Sequence, residues 1–176
     1  MATSVALIIA KSESKRLPNK NTLPVKGVPM FLVNVKKCHK IFDRTYVSSD
    51  SVEMLEQAVN EGAIAIKRPK SLCGDVPNME VYQHAIRYID EDIIVAVQAN
   101  SPTIESNSIK QVKRIIEMGF NEVITCHEDY SIYGSIWALT KDRIRNYIDP
   151  YKPTPEVLIV DKSVDVHTLS DYEKIK

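Results

Sequence analysis

The sequence alternates short apolar runs with amphipathic segments along most of its length, and this alternation limits the possible folds more than any other feature. Apolar, β-branched runs predict strands at Val5–Ala10, Thr45–Ser49, Ala63–Ile66, Ile93–Gln98 and Glu122–Cys126, followed by shorter runs at Ile136–Leu139 and Val157–Val160. Helical spacing predicts helices at Phe31–Lys40, Val52–Glu61, Glu80–Ile89 and Ile109–Met118. Because parallel strands need helical crossovers, the pattern predicts an α/β fold with a mainly parallel sheet and helices on both faces.

Two pairs of residues predict where helices begin. Asp50 with Glu53, and Ser170 with Glu173, have the spacing of capping boxes. We therefore expect one helix to start just after Asp50 and another just after Ser170.

Length and charge limit the domain organisation and the partners. The 176 residues suit a single domain over residues 1–176, and the 23 basic and 23 acidic residues give zero formal net charge. That balance disfavours nucleic acid and anionic membranes as partners, so any electropositive site must be local. No apolar run is long enough for a signal peptide or a membrane span, and we expect a cytoplasmic location.

The cysteines and histidines do not form a recognisable metal or disulfide pattern. Cys38, Cys73 and Cys126 are odd in number and lack paired spacing, which predicts reduced thiols. The histidines are equally scattered, at His39, His84, His127 and His167. A zinc site is not predicted.

The segment after the first strand is strongly basic. Four cations and one carboxylate, Glu13, lie in the eleven residues from Lys11 to Asn21. Ligands of open parallel sheets bind beyond the carboxyl ends of the strands, and crowded cations are costly unless an anion lies among them. The loop therefore points to a polyphosphate. Charge alone does not decide this, because basic loops are also typical of solvated surface.

Glycine-rich phosphate loops are absent, since no glycine precedes Gly27. Phosphate binding would depend on side-chain cations, serine hydroxyls and the backbone N–H groups of the turn.

The segments that follow the strands resemble the acylneuraminate cytidylyltransferases, the CMP-sialic acid synthetase group, which is related to the CMP-Kdo synthetases. The first matching block is Leu7–Asn21, with the sequence LIIAKSESKRLPNKN. Further blocks follow in the family's order, at Val47–Asp50, Arg68–Asp75, Val97–Pro102, Gly134–Trp137 and Ser163–Asp171. Several ordered blocks across nearly the whole chain are more specific than the first alone.

The resemblance implies transfer of CMP from CTP to a sugar hydroxyl, with release of pyrophosphate, on a Rossmann-like nucleotidyltransferase fold. Lys15 and Lys20 would hold the triphosphate and stabilise charge on the leaving pyrophosphate, and Asp165 would complete the catalytic set. The nucleotide would contact Lys11, Ser14, Lys15, Lys20, Asn21, Arg68 (near the cytosine) and Asp75. The acceptor sugar would contact Gln98, Asn100 and Ser101.

Each of these residues also has a purely structural explanation. Arg68 could be a solvated loop arginine, Gln98 a strand-end hydrogen-bond donor and Asp50 an N-cap. Pro18 and Pro102 could be turn formers, and the group Lys36, Lys37 and Lys40 a solvated helix face. The functional interpretation depends on the candidates converging at strand ends, and it requires Lys15, Arg68, Gln98 and Asp165 to share one cleft.

The sequence departs from the family pattern at two positions that bind anions or metal. Lys11 replaces an arginine, which keeps the charge but loses the bidentate fork. His167 replaces the second aspartate of a DxD pair, whose carboxylates at i and i+2 of a strand could face one Mg²⁺. Histidine is a poorer ligand for that hard cation. We expect Asp165 to bind Mg²⁺ directly, with His167 contributing through a metal-bound water or a phosphate.

A third departure concerns the acceptor and the oligomer. Where the family carries an Arg-Pro-Asn run whose arginine is associated with the sugar carboxylate, this chain has Tyr130–Tyr133. The family's dimerisation segment, between Glu128 and Gly134 here, is missing, so a homodimer built by the family's swap is not expected. The acceptor need not be sialic acid.

Three functions are compatible with the sequence. The first is a Mg²⁺-dependent cytidylyltransferase that activates a sialic acid-like or 3-deoxy-ulosonic sugar acid through attack of its hydroxyl on the α-phosphorus of CTP. The second is a nucleotidyltransferase with another nucleoside triphosphate or acceptor. The third is a catalytically weakened nucleotide-binding protein.

Overall fold

The computed structural model describes residues 3–176, and a seven-stranded mixed sheet forms its centre. The strands are β1 (Ser4–Ile9), β4 (Thr45–Ser49), β5 (Ile64–Lys67), β6 (Ile93–Gln98), β7 (Glu122–Cys126), β8 (Ile132–Thr140) and β9 (Val157–Val160), and a small hairpin adds β2 (Pro24–Val25) and β3 (Val28–Pro29). The sheet order is β5-β4-β1-β6-β8-β7-β9. Within the described residues β8 is the one strand of this sheet that runs antiparallel to its neighbours.

Helices cover both faces of the sheet. They are α1 (Met30–His39), α2 (Val52–Asn60), α3 (Asn78–Ala85), α4 (Ser106–Glu117), α5 (Lys141–Arg145) and α6 (Leu169–Glu173). Alternate side chains of β1 enter two separate apolar clusters: Ala6 and Ile8 pack with α1, α2 and α4, whereas Val5 and Leu7 pack with α3 and α5. A strand buried on both faces reads as a continuous apolar run, which explains the sequence of β1.

The predicted fold class is confirmed, and most predicted elements lie within a few residues of the observed ones. Two differences matter for the site. The run Ile136–Leu139 belongs to a nine-residue strand, β8, whose antiparallel direction has no signal in periodicity. The pair Asp165 and His167, expected to lie on a strand, belongs to an extended segment outside the sheet ladder.

The predicted capping boxes at α2 and α6 are both wrong. The N-cap of α2 is Ser51, whose hydroxyl accepts from the Met54 N–H at 3.2 Å. The box at the start of α6 is formed by Thr168 and Asp171. Asp50 therefore does not cap α2, and its carboxylate accepts hydrogen bonds from the basic loop instead.

The prediction that Lys37 belongs to a solvated helix face is also wrong. Its ammonium group donates to the carbonyls of Pro102 and Ile104 at 2.6 and 2.7 Å, and burial lowers its pKa. Asn34, one turn earlier on α1, donates to the Gln98 and Ser101 carbonyls at 2.9 and 3.0 Å. Helix α1 therefore fixes the loop that follows β6.

The residue after β9, Asp161, is a carboxylate that is 4% exposed and surrounded by hydroxyl donors. Tyr133 donates to it at 2.6 Å, and Ser108 and Ser135 donate at 3.0 Å. Ser163 adds a backbone N–H at 3.2 Å and its hydroxyl. Burial would raise the pKa of Asp161, but these hydrogen bonds outweigh it and lower the pKa below its usual value of 3.8.

Asp161→Asn is expected to lower the free energy of unfolding by about 2 to 3 kcal/mol at pH 7, because charged hydrogen bonds are lost in a buried site. Since the folded-state pKa is depressed, this contribution is present above pH 3.8 and is lost as the pH falls through the folded-state value. Urea titrations at pH 7 and pH 3 would measure it, with Asp43→Asn on the exposed surface as the control. An equal loss at both pH values would contradict the assignment.

None of the helices in residues 3–176 has the length and apolar content needed to cross a membrane. All three cysteines are free thiols; Cys38 and Cys126 are buried and Cys73 is partly exposed.

Candidate active site

A cleft lies beyond the carboxyl ends of β1 and β6, as the topology rule predicts. It consists of an inner cavity of about 130 Å³ and an outer cavity of about 620 Å³. The two adjoin each other, because both are lined by Lys11, Ser14, Lys20, Asn78, Gln98 and Asn100. The inner cavity adds Asn21 and Arg68, and the outer cavity adds Lys15, Arg16, Asp75, Tyr133, Asp165 and His167.

The basic loop is anchored at both ends. Asp50 accepts the Ser12 backbone N–H at 2.8 Å and the Ser12 hydroxyl at 2.5 Å. Burial alone would raise the pKa of Asp50, but the bonds from Ser12 lower it, so the carboxylate stays ionised. At the other end the Asn21 amide donates to the Lys11 carbonyl at 2.8 Å. A loop anchored in this way holds its four cations beside the cleft, with Lys15 and Arg16 exposed to solvent.

The cations of the loop differ in their environment. Lys20 is partly buried and lines both cavities, and no ion pair to it occurs in residues 3–176. Burial lowers its pKa; Asp165 opposes this effect, while Arg16 and Lys11 add to it. Lys15 is exposed and pairs with Asp75 at 2.5 Å across the mouth of the cleft. A partly buried ammonium group among other cations is a strong anion-binding site.

Arg68 forms part of the floor of the inner cavity and is only 4% exposed. Its guanidinium donates to the Ser48 carbonyl at 2.8 Å and to the Ser48 hydroxyl at 3.3 Å. Burial lowers its pKa, with Asp50 and other groups partly offsetting that effect. The alternative that Arg68 is a solvated loop residue is wrong. A buried guanidinium fixed by neutral acceptors can serve as a planar hydrogen-bond donor to a ligand.

Asp165 and His167 face the outer cavity from the extended segment after β9. Val166 between them faces the other way and is fully buried against Leu17 and Met30. Its backbone N–H donates to the Asn100 carbonyl at 2.8 Å. The expectation that residues i and i+2 face the same side therefore describes this segment, although it is not a sheet strand.

His167 connects a carboxylate to a guanidinium. Its Nε2 lies 2.5 Å from Oδ2 of Asp165, and its Nδ1 lies 2.7 Å from Nη2 of Arg16. Oδ1 of Asp165 also accepts from the Asn100 amide. Because the guanidinium can only donate, Nδ1 must accept and the proton of a neutral ring must sit on Nε2. In this tautomer His167 donates to Asp165 and has no lone pair on Nε2 for a metal.

The donor set fits one divalent cation shared with a ligand's phosphates. Within the described part of the chain, no group of three or more His, Cys, Asp or Glu side chains is arranged to hold a metal. Mg²⁺ is nevertheless often bound by one or two carboxylates together with substrate phosphates and water. Asp165 supplies such a carboxylate, since each of its oxygens keeps a second lone pair beside the bond it accepts.

The residues predicted to bind the acceptor separate into two groups. Gln98 lines both cavities, with its amide 3.4 Å from the Tyr82 hydroxyl, and Asn100 lines both and contacts Asp165. Ser101 is fully buried and lines neither cavity. Its carbonyl accepts from Asn34, so this residue belongs to the support of the loop.

The structure thus brings Lys15, Arg68, Gln98 and Asp165 to one cleft, and of the predicted site residues only Ser101 is outside it. Sequence reasoning missed three polar contributors. Asn78 begins α3 and lines both cavities, and Arg16 and Tyr133 line the outer one. Arg16 could have been found from the sequence, because it lies in the basic loop. Tyr133 could not, because its position depends on β8, whose extent the sequence does not predict.

A family model described as "Cytidylyltransferase" matches residues 5–151. The chain belongs to the cytidylyltransferase family. The matched region includes the basic loop, Arg68 and Gln98, and it ends before Asp165 and His167. The resemblance noted from the sequence is therefore confirmed.

Relatives in this family are named for sugar-acid substrates. A pseudaminic acid cytidylyltransferase and UDP-2,4-diacetamido-2,4,6-trideoxy-beta-L-altropyranose hydrolase of Helicobacter pylori is 30% identical over 132 residues, which is 70% of this chain and 26% of that protein. An N-acylneuraminate cytidylyltransferase of Escherichia coli is 26% identical over 182 residues, covering 93% of this chain and 43% of that protein. The chain spans less than half the length of these two relatives.

Solved structures share the fold. A CMP:2-keto-3-deoxy-manno-octonic acid synthetase complexed with CTP superposes with a TM-score of 0.79 at 16% identity, covering 99% of this chain and 97% of that one. A Mycobacterium tuberculosis protein in complex with manganese gives a TM-score of 0.71 at 12% identity, covering 99% and 98%. At these identities the likeness establishes the nucleotidyltransferase fold.

Proposed function

We propose that this chain transfers CMP from CTP to a hydroxyl of a sugar acid and releases pyrophosphate. The observation that carries the proposal is the convergence of Lys15, Lys20, Arg68 and Asp165 on one cleft in a member of the cytidylyltransferase family. The sugar-acid class is supported by the names of the relatives, which act on pseudaminic and N-acylneuraminic acids. Nucleotidyl transfer needs positioned cations more than a covalent nucleophile, and the cleft offers these cations.

Each part of the cleft has a role in this reaction. The cytosine occupies the inner cavity, where Arg68 and Asn21 contact the nucleotide and its sugar. The triphosphate extends outward past Lys11, Ser14 and Lys20. Lys20 stabilises negative charge as it moves from the α-phosphorus to the departing pyrophosphate. The acceptor enters through the outer cavity and meets Gln98 and Asn100, so that its hydroxyl attacks in line with the leaving group.

Binding of CTP requires the ion pair between Lys15 and Asp75 to open. Both side chains are largely exposed, and the bond from Lys15 lowers the pKa of Asp75, so this carboxylate is ionised at neutral pH. An exposed pair of this kind is weak and easily exchanged for a triphosphate. Asp75 then acts as a temporary partner that keeps Lys15 over the cleft until the nucleotide arrives.

We also propose that the reaction uses Mg²⁺, held by Asp165 and the phosphates of CTP. A bound divalent cation would neutralise phosphate charge and orient the α-phosphorus. The choice of Asp165 is supported by its place in the outer cavity and its spare lone pairs; His167 supports it as a hydrogen-bond donor. The neighbour solved with manganese is compatible with a divalent cation at this fold.

Further properties follow as proposals from the same residues. The connection between β7 and β8 is only five residues, 127–131, which supports the absence of the family's dimerisation segment and of its swapped homodimer. Free thiols and the use of CTP are compatible with the cytoplasm. Zero net charge disfavours a nucleic acid or membrane partner.

The purified chain is expected to release pyrophosphate from CTP only when Mg²⁺ and a suitable sugar acid are present. The panel comprises N-acetylneuraminate, pseudaminic acid and 3-deoxy-manno-octulosonate, and UTP, GTP and ATP replace CTP as controls. Turnover with another triphosphate would favour the broader nucleotidyltransferase assignment. A chain that neither binds CTP nor turns over any sugar acid of the panel would contradict the proposal.

A second candidate is a nucleotide-binding protein with weakened catalysis. The specific observation in its favour is His167, which stands in the position of a metal-binding aspartate and carries its proton toward Asp165. This candidate predicts CTP binding by calorimetry without any increase in turnover on addition of Mg²⁺ or Mn²⁺. Metal-stimulated pyrophosphate release decides between the two functions.

A further inference from the structure

Strand β9 is an edge of the central sheet. Within residues 3–176 it pairs with β7 on one side and with no strand on the other. All its residues are aliphatic, and Leu158 and Val160 are 40% and 43% exposed. Sheet edges are usually protected from pairing by a charge within the strand. The opposite edge, β5, contains Lys67, whereas the charges near β9 lie outside the strand.

The backbone groups of Leu158 and Val160 point away from β7. The Asp161 N–H donates to the Cys126 carbonyl at the end of β7 at 3.0 Å. Because hydrogen-bonding groups alternate between the two sides of a strand, the N–H and C=O groups of Leu158 and Val160 point to the open edge. Their side chains share one face of the sheet, since they lie two positions apart. The same two residues therefore offer a partner both backbone hydrogen bonds and apolar surface.

An acid and a base, Glu156 and Lys162, flank the strand. Each lies two positions beyond the exposed apolar pair, and alternate residues of an extended segment face the same side. Each side chain is exposed and is also bonded within the chain at an end of β7, Glu156 to Asn121 and Lys162 to Glu128. From one end to the other, this face of the edge reads acid, apolar, apolar, base.

We propose that β9 pairs antiparallel with β9 of a second copy of this chain, around a two-fold axis at Ile159. In an antiparallel pair, residues whose backbone groups point to the partner lie opposite each other. The axis at Ile159 places Leu158 opposite the partner's Val160, and Glu156 opposite the partner's Lys162. The order acid, apolar, apolar, base is its own complement when the second strand runs in reverse, so the ion pairs and the apolar pairs form together.

The charges select this register among those that the backbone allows. Moving the axis by one residue in either direction places Leu158 or Val160 opposite itself and separates Glu156 from the partner's Lys162. The backbone groups would still match, but both ion pairs of the dimer would be lost. The flanking charges therefore favour one closed arrangement of two copies.

This interface is separate from the proposed active site and from the family's swapped dimer. No residue of β9 lines either cavity of the cleft, and the swap uses the connection between β7 and β8. A strand edge buries less surface than a standard interface, so we expect association to be micromolar or weaker. Because the pairing does not involve the cleft, its test does not depend on the proposed function.

Sedimentation velocity on the full chain, from about 1 to about 500 µM, should show a shift from monomer to dimer in the range expected of a small interface. Val160→Pro removes an N–H at the open edge and leaves the bonds to β7 in place, and it should weaken association by about 10-fold or more. Ala65→Pro is the matched control on β5. Since the Arg68 N–H donates to Ser49 of β4, the Ala65 N–H points to the open edge of β5, and this variant should associate like wild type.

Reversal of the flanking charges tests the register without changing the backbone. Glu156→Lys and Lys162→Glu should each weaken association by about 10-fold, because symmetry turns two ion pairs into repulsions at once. The double variant should return to within about 3-fold of wild type, since it restores opposite charges across the axis. Glu156 and Lys162 lie at opposite ends of β9, so a loss of fold stability in the single variants would not be corrected by combining them.

Each outcome bears on the proposal. A wild type that stays monomeric at the highest concentration would overturn it. A dimer that tolerates Val160→Pro and both charge reversals would form through another surface, and equal weakening by Ala65→Pro would show that pairing is not specific to β9. If Val160→Pro does not fold, the charge reversals and their double variant decide.

Discussion

Lys20→Ala is expected to lower kcat by about two to three orders of magnitude, the loss seen when one preorganised donor to developing charge is removed. The reason is its place in the cleft: the ammonium lines both cavities and has no carboxylate partner within the described residues. Because burial lowers its pKa, the folded state holds this charge at a cost. The variant should therefore be as stable as wild type or more stable, which is the usual trade between stability and function.

Pyrophosphate release at saturating CTP and acceptor measures this effect, and a thermal melt measures the stability. Lys110→Ala, an exposed lysine on α4, is the matched control and should leave kcat unchanged. Lys15→Ala should have a smaller effect than Lys20→Ala, since Lys15 is exposed and solvent screens its charge. A Lys20→Ala enzyme within 3-fold of wild type would rule out the assigned role.

Asp165→Asn should reduce metal-dependent turnover by about 100-fold or more, because the amide removes the carboxylate proposed to hold the cation. The amide oxygen can still accept from His167, but the amide nitrogen cannot accept from Asn100, so that contact is kept only if the Asn100 amide turns its oxygen inward. CTP binding in EDTA should stay the same or become tighter, because a negative charge near the triphosphate is lost. Loss of activity without loss of nucleotide binding distinguishes a metal ligand from a structural residue.

Mn²⁺ binding followed by electron paramagnetic resonance, with CTP present, gives a readout that does not depend on turnover. Wild type should bind Mn²⁺ in the presence of CTP, Asp165→Asn should bind it at least about 10-fold more weakly, and Asp43→Asn on the exposed surface should match wild type. Full metal-dependent turnover in Asp165→Asn would show that another group holds the cation.

Most elements of the fold could be predicted from the sequence. Strand β1 could be predicted because burial on both of its faces imposes a continuous apolar run. Helix α4 could be predicted because burial on one face imposes a periodic apolar pattern. The direction of β8 could not, since periodicity identifies a strand but not its neighbour. The β2–β3 hairpin was also missed: its turn residues, Lys26 and Gly27, both have positive φ, but each flanking strand has only two residues.

The site was predictable where a residue directly follows a strand and less so where it depends on a partner. Lys11, Gln98 and Asn100 follow β1 or lie at the end of β6, and topology alone brings them together. Asp50 was interpreted as an N-cap because its spacing to Glu53 is a local signal, whereas its bond to Ser12 spans 38 positions. The resemblance of the Val97–Pro102 block implies an acceptor contact for Ser101, but the loop turns its hydroxyl into the interior.

The burial of Val166 couples the positions of Asp165 and His167 at the outer cavity. The valine is buried in an apolar cluster, and alternate residues of an extended segment face opposite sides, so seating this one side chain orients Asp165 and His167 together. If the valine leaves its cluster, the cation ligand and the histidine that holds Arg16 depart in the same event. Docking of this one valine therefore sets the position of both side chains that line the outer cavity from this segment.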